Sequence, residues 1–160
     1  MSNSTLVVFD LDYTLWPFFI DNYYNSSFHI DQSGKVVDSM NGHVKLYEDT
    51  KEVLRSLHSQ GFQLAVASRA EDFDGATELL SVYDLNQYFS YKEIYEGSKV
   101  NHFRRLQEDS GVPYTDMIFF DDDMWNISEV RRLGVYCVLV HDGITCKLVD
   151  EELQKFMKRN

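Results

Sequence analysis

Cationic side chains are scarce in this chain: fifteen lysines and arginines stand against twenty-six aspartates and glutamates, for a net charge of −11. A protein that binds a phosphate backbone needs a basic stripe, and none is visible, so nucleic acid is excluded as a partner. A small phosphorylated molecule is not excluded, because a few local cations and a metal ion overrule the global field. Cysteine is nearly absent too. Cys137 and Cys146 fit neither a CxxC spacing nor a paired framework, which reads as two reduced thiols. No stretch approaches about 18 consecutive apolar residues, and the N-terminus lacks a basic-then-apolar signal pattern. These absences exclude a membrane partner and make the cytosol the default compartment, with nuclear entry left open. Repeats, low-complexity segments and linkers are missing as well. The 160 residues therefore read as one domain spanning 1–160, large enough for one well-buried core.

What is present begins with Leu6-Val7-Val8-Phe9, a short apolar run free of Gly and Pro that suits a strand buried on both faces of a parallel sheet. It runs into Asp10-Leu11-Asp12, placing two carboxylates at the strand's carboxyl end, the edge where open α/β sheets bind ligands. Like charges so close repel unless a cation, a proton or hydrogen bonds offset them. Pro17 then turns the chain away, since it cannot continue a central ladder. Within residues 17–47, Phe28-His29-Ile30 and Lys35-Val36-Val37 flank Asp31-Gln32-Ser33-Gly34, which predicts a small β-hairpin too short to fold alone, read as a flap. Of the aromatic cluster Trp16, Phe18, Phe19, Tyr23 and Tyr24, Phe18 and Phe19 read as core under that flap, with lining of an entrance as the alternative.

Strands and helices alternate from there. A helix capped by Asp49 or Thr50 ends at Gly61, and a strand over 62–67 ends at Ser68-Arg69. A helix over 72–83 and a weaker strand over 88–95 follow; then Ser98 caps a helix carrying Val100, Phe103 and Leu106 up to Gly111. The strand Met117-Ile118-Phe119-Phe120 stops at Asp121-Asp122-Asp123, followed by a helix over 126–133, a strand over 135–140 and a final amphipathic helix with Leu148, Val149, Leu153 and Phe156. This alternation predicts an α/β fold with right-handed crossovers and a parallel sheet covered on both faces. Parallel strands then deliver Asp10 and Asp12, Ser68 and Arg69, and Asp121 and Asp122 to one edge, with Lys99 at a helix start beside it. Oxygen donors without a His or Cys pair favour magnesium.

Each of these residues also has a plainer reading. Asp123 and its neighbours suit a helix N-terminus, Ser68 suits a cap, and Arg69 suits a surface pair with Glu71 or Asp72. The five histidines show no ligand spacing, and surface or packing roles are expected even for His43 and His141 near the edge.

Taken together, Asp10-x-Asp12-x-Thr14-Leu15, Ser68, Lys99 and the strand before Asp121-Asp122 resemble the four motifs of haloacid dehalogenase superfamily phosphotransferases. Through nearly the whole chain, Phe9 to Phe18, Ala67-Ser68-Arg69, Gly97-Ser98-Lys99 and Phe119 to Asp122 resemble the magnesium-dependent phosphatase-1 branch. The resemblance implies a three-layer Rossmann-like fold with sheet order 5-4-1-2-3, a small β-hairpin flap and no large cap. It implies acid-phosphatase activity toward phosphomonoesters, phosphotyrosine and sugar phosphates included, with Mg²⁺ as cofactor and an aspartyl-phosphate intermediate. The expected partner is a small phosphorylated substrate or a phosphopeptide, and the expected state a monomer. Asp123 stands where the family commonly has Glu.

An anionic nucleophile meeting an anionic phosphate needs cations and N–H groups to neutralise both. On that basis Asp10 is the expected nucleophile and Asp12 the acid that protonates the leaving oxygen and then activates water. The resemblance implies metal ligation by Asp10, Asp122 and the backbone carbonyl of Asp12, with Asp121 either an adjacent ligand or a support behind the ligands; Asn126, one helical turn on from Asp122, is placed to orient a metal-bound water. The resemblance also implies phosphate contacts from Leu11, Asp12, Arg69 and Lys99, and from Thr14 and Ser68 either phosphate contacts or orientation of Asp10. A dehalogenase has no use for Asp12 as a leaving-group acid, and a phosphomutase needs a cap that shields the intermediate from water. A catalytically silent phospho-ligand-binding module, the remaining rival, leaves the full set of reactive groups unexplained.

Overall fold

The computed structural model describes residues 4–159. The elements run β1 (Leu6–Phe9), a 3-10 turn (Ile20–Tyr23), β2 (His29–Ile30), β3 (Val36–Val37), α1 (Thr50–Ser59), β4 (Gln63–Ser68), α2 (Phe73–Val82), β5 (Phe89–Ile94), α3 (Lys99–Ser110), β6 (Met117–Asp121), α4 (Met124–Arg131), β7 (Tyr136–Leu139) and α5 (Cys146–Lys158). β1 lies at the centre of a parallel sheet of order β5-β4-β1-β6-β7. Counting sheet strands alone, that is the expected 5-4-1-2-3. Alternation along β1 divides the core into two layers. Val7 and Phe9 pack with Val53, Leu54 and Leu57 of α1, Leu79 and Leu80 of α2, and Val149 and Phe156 of α5. Leu6 and Val8 pack with Phe103 and Leu106 of α3 and Val130 of α4. Each face of the strand is therefore dry, which is why an unbroken apolar run, rather than an alternating one, is needed there.

The boundaries shift where side chains find distant partners. α4 begins at Met124, two residues before the expected start, because the Asp123 carboxylate accepts the Trp125 N–H at 2.8 Å and caps it. Asp123 is thus the helix cap of the plainer reading. Asp49 does not cap α1 with its side chain; its carboxylate accepts the Cys146 N–H at 2.9 Å and ties α5 to α1. Thr50 instead donates to the Leu15 carbonyl at 2.7 Å. β4 runs one residue later than expected, so Ser68 is its last residue.

β2 and β3 pair antiparallel, Ile30 opposite Val36, across a turn in which Asp31 accepts the N–H groups of Ser33 and Lys35. So small a hairpin is held from outside itself. The Asp21 carboxylate accepts the N–H groups of Glu71 and Asp72, and Glu78 accepts that of Phe28. A run of ring contacts, Trp16 to Phe18 to Tyr23 to Phe28, joins it to the core. Phe18 is part of that run as expected, whereas Phe19 is 53% exposed, edge-on to Tyr13 at 4.8 Å. The 3-10 turn that follows Phe19 directs Ile20 inward in its place. Both cysteines are free thiols, and burial pushes that of Cys137 up to about 12. Among the described residues no helix is long and apolar enough to cross a membrane.

Gly143 sits at φ +86° over the Tyr47 ring, where an added Cβ would meet ring carbons at 2.4 Å, whereas Gly34, also at φ +86°, has nothing within 4 Å. Gly143→Ala is therefore expected to cost about 2–3 kcal/mol, from backbone strain plus a displaced ring, and Gly34→Ala about 1 kcal/mol. Urea midpoints of the two variants check this, and equal midpoints would contradict it.

Candidate active site

Three parallel strands end side by side. The Asp10 N–H donates to the Phe120 carbonyl at 3.0 Å, which fixes the nucleophile candidate beside the end of β6. Ser98 caps α3 by accepting the Val100 N–H, so Lys99 is the first helical residue and points inward, 0% exposed. Its ammonium lies 2.8 Å from Asp10 Oδ1 and 2.7 Å from Asp121 Oδ2. Asp121 Oδ2 also accepts the Asn126 amide at 3.0 Å, and its Oδ1 accepts the Asp123 N–H at 2.9 Å. Thr14, buried beneath, donates to Asp10 Oδ2 at 3.1 Å, with Asp122 Oδ1 at 3.4 Å. Above this group opens a cleft of about 360 Å³, lined by Asp10, Asp12, Ser68, Arg69, Lys99 and Asp122 among others.

The charges in this group do not balance. Asp10, Asp121 and Asp122 each offer a carboxylate oxygen, all within 4.8 Å of one another. Burial pushes the Asp10 carboxyl up to about 7 although Lys99 pulls against it. Burial, and then the charge of Asp10, pushes Asp121 up to about 6. Burial also raises Asp122. The same burial disfavours the Lys99 ammonium, but Asp10 and Asp121 outweigh it and hold the group above its usual value. One cation thus faces three carboxylates. The donors are all oxygen, and together they suit a hard divalent ion such as Mg²⁺.

Asp12 stands apart from that cluster. Its Oδ1 accepts the Trp16 indole N–H at 2.8 Å and the Ile20 N–H at 2.9 Å, and its carboxylate is not among the three that converge. Ser68 Oγ accepts the Ala70 N–H at 3.1 Å and keeps its own hydrogen for the cleft. Arg69 forms no ion pair with Glu71 or Asp72 among the described residues; Nη1 lies 3.4 Å from Asn126 Oδ1. Thr14 is fully buried with its hydroxyl on Asp10, which is the second of its two expected roles, and the Leu11 side chain is in the core, which leaves the Leu11 backbone N–H to offer.

Sequence reasoning missed His102. Fully buried, it places Nε2 at 2.8 Å from both the Ser68 and Tyr95 carbonyls, and its ring stacks on Tyr95 at 4.1 Å. Two carbonyls at one nitrogen require the hydrogen there. The ring therefore clasps the end of β4 to the loop that leads into Lys99. The available signal was helical spacing, since Lys99, His102, Phe103 and Leu106 fall on one face of α3 and are its buried residues. His43 and His141 are exposed.

A family model described as Acid Phosphatase matches residues 3–159. Over 153 residues the chain is 45% identical to "Magnesium-dependent phosphatase 1" of Homo sapiens, an alignment that covers 96% of this chain and 87% of the relative. It is 36% identical over 140 residues to a HAD-like hydrolase superfamily protein of Schizosaccharomyces pombe, covering 81% of each. Among solved structures, L-2-haloacid dehalogenase from Xanthobacter autotrophicus superposes with a TM-score of 0.62 at 12% identity, covering 97% of this chain and 83% of that one. At that identity the likeness is one of fold.

The His102 clasp has a pH signature. Burial lowers its pKa below the usual 6.5 although the carbonyls facing the ring favour the charged form. Below that value the unfolded chain takes up a proton that the folded protein resists, so the stability contributed by His102 is intact above it and declines as pH falls. Urea unfolding of wild type and His102→Gln at about pH 7.5 and about pH 5.5 should show the stability gap narrowing in acid, by no more than about 1.4 kcal/mol per pH unit. A gap independent of pH would contradict this.

Proposed function

The chain belongs to the acid phosphatase family of the haloacid dehalogenase superfamily and is a magnesium-dependent phosphatase; from that premise we propose that it hydrolyses phosphomonoesters by passing the phosphoryl group through Asp10. The observation that carries the proposal is the division between two carboxylates in one turn. Asp10 is held in the charged cluster by Lys99 and Thr14, while Asp12 is held away from it by Trp16 and Ile20.

Asp10, Asp122 and the Asp12 carbonyl would hold Mg²⁺. When bound, the ion supplies the positive charge that lets a carboxylate approach a phosphate dianion. Lys99 contributes a second, fixed positive charge at Asp10 Oδ1. Thr14 orients the other oxygen of Asp10, and Asp121, with both oxygens engaged, holds Lys99 and Asn126 in place. In the first step an Asp10 oxygen attacks phosphorus, the ester P–O bond breaks, and the departing oxygen takes a proton from Asp12. In the second step water attacks the phosphorus, gives its proton to Asp12, and frees Asp10 and inorganic phosphate. Ser68 and Arg69, both lining the cleft, bind phosphate oxygens, as does the Leu11 N–H.

The small hairpin leaves the cleft open rather than enclosed, which favours hydrolysis over transfer between sugars in a phosphomutase. Phe19, at the cleft wall with Tyr13 against it, suits an aromatic or sugar leaving group, so phosphotyrosine and sugar phosphates are the proposed substrates. Residues 17–47 act as a flap over a single domain. Two free thiols and a site built from one chain fit a monomer in the cytosol.

With p-nitrophenyl phosphate, Asp10→Asn is expected to lose at least about a thousandfold in kcat/KM while remaining folded, and a chelator should bring wild type to background. Persistent turnover in Asp10→Asn would contradict the assignment. Thermal unfolding supplies a readout free of activity. Mg²⁺ should stabilise wild type, by about 2.7 kcal/mol at a hundredfold excess over Kd, and Asp122→Asn much less. An undiminished Mg²⁺ shift in that variant would remove Asp122 from the ligand set.

A further inference from the structure

We infer that Trp16 is a positioning residue that decides which oxygen of Asp12 carries the transferable proton. The inference rests on the reading of Asp12 as the general acid. A carboxyl group has two equivalent oxygens and turns about its own axis, so an acid that must meet a leaving oxygen needs one of them chosen for it. Here the choice is made by donors. Trp16 Nε1–H and the Ile20 N–H both point at Oδ1, at 2.8 and 2.9 Å. A proton placed on Oδ1 would face two other hydrogens and no acceptor, so the acid form carries it on Oδ2. Among the described residues no hydrogen-bond partner meets Oδ2, and no buried side-chain polar atom lacks one. Oδ2 is therefore open to solvent, and Asp12 lines the cleft.

An indole suits this task because it only donates and cannot be recruited as an acceptor. Trp16 is 0% exposed and does not line the cleft, so it acts through Asp12 rather than on substrate. Its ring is stacked on Phe18 with 5.7 Å between centroids and 6° between planes. Its backbone is fixed as well, the Trp16 carbonyl accepting the Tyr13 N–H at 2.6 Å across a turn in which Tyr13 holds φ 58°. A left-handed Tyr persists only where its surroundings determine it, and the turn it makes brings the indole back onto the side chain four residues before.

The consequence is selective for the leaving group. A p-nitrophenolate departs without a proton, whereas the alkoxide of a primary alkyl phosphate does not. The experiment measures kcat/KM, which reports the first chemical step, for p-nitrophenyl phosphate and ribose 5-phosphate in wild type, Trp16→Phe and Asp12→Asn. Trp16→Phe should lose about 10- to 100-fold toward ribose 5-phosphate and less than about threefold toward p-nitrophenyl phosphate, with Asp12→Asn showing the same selectivity more strongly. Equal losses on both substrates in Trp16→Phe, or none, beside a selective Asp12→Asn would overturn the inference and leave the role of Asp12 standing. A non-selective Asp12→Asn would overturn that role and the inference with it. If Trp16→Phe does not fold, incorporation of the isosteric sulfur analogue 3-benzothienylalanine in a Trp125→Phe background removes the N–H alone, Trp125 being 68% exposed and outside the cleft, and the same selectivity is required of it.

Discussion

The constraint on which the rest of the structure depends is a charge deficit: one buried ammonium, Lys99, set among Asp10, Asp121 and Asp122. An ion pair taken out of water is stabilising only when its remaining lone pairs are satisfied, and here each neighbour is. Asn126 and the Asp123 N–H complete Asp121, and Thr14 completes Asp10. Even so, the negative charge exceeds the positive. A fold that keeps such a group intact is built to receive further positive charge, and in a magnesium-dependent phosphatase the divalent ion supplies it.

Assembling this group from distant segments sets the architecture. Strand ends at Asp10 and Asp121 are brought within reach by direct β1–β6 pairing, in which Phe9 lies opposite Phe120. Lys99 arrives from α3, and its first-turn position is secured by the Ser98 cap and by His102 bonding back to Ser68 and Tyr95. Asp12 belongs to the same turn as Asp10 yet is directed elsewhere, so two identical side chains two residues apart acquire different surroundings and, on the proposed mechanism, different work.

Much of this was legible in the sequence because it is local. β1 matches its apolar run residue for residue, and the Ser98 cap and the Gly111 terminus of α3 follow from helix-end chemistry. The sheet order followed from family resemblance rather than from pattern. What escaped was tertiary. Asp49 looks like a helix cap until its carboxylate meets a backbone N–H 97 residues away, and Phe19 looks like core until the 3-10 turn sends Ile20 inward. The three consecutive acids could not be sorted by spacing either. The family resemblance does sort them, and in the structure Asp121 is engaged at both oxygens while Asp123 caps α4. His102 carried no motif, and Trp16, though inside the Phe9 to Phe18 stretch, read there only as part of an aromatic cluster, since a buried donor is recognised by what it touches.

On the proposed mechanism Asp10 supplies the oxygen that bonds to phosphorus, and trapping tests that most directly. In Asp12→Asn supplied with Mg²⁺ and p-nitrophenyl phosphate, the first step needs no acid and the second lacks its base, so the phosphorylated enzyme should accumulate. Borohydride reduction followed by peptide mass mapping should then convert the side chain at position 10, and no other, to the corresponding alcohol. Release of p-nitrophenolate in a stoichiometric burst with position 10 unmodified, or reduction at a different residue, would contradict it.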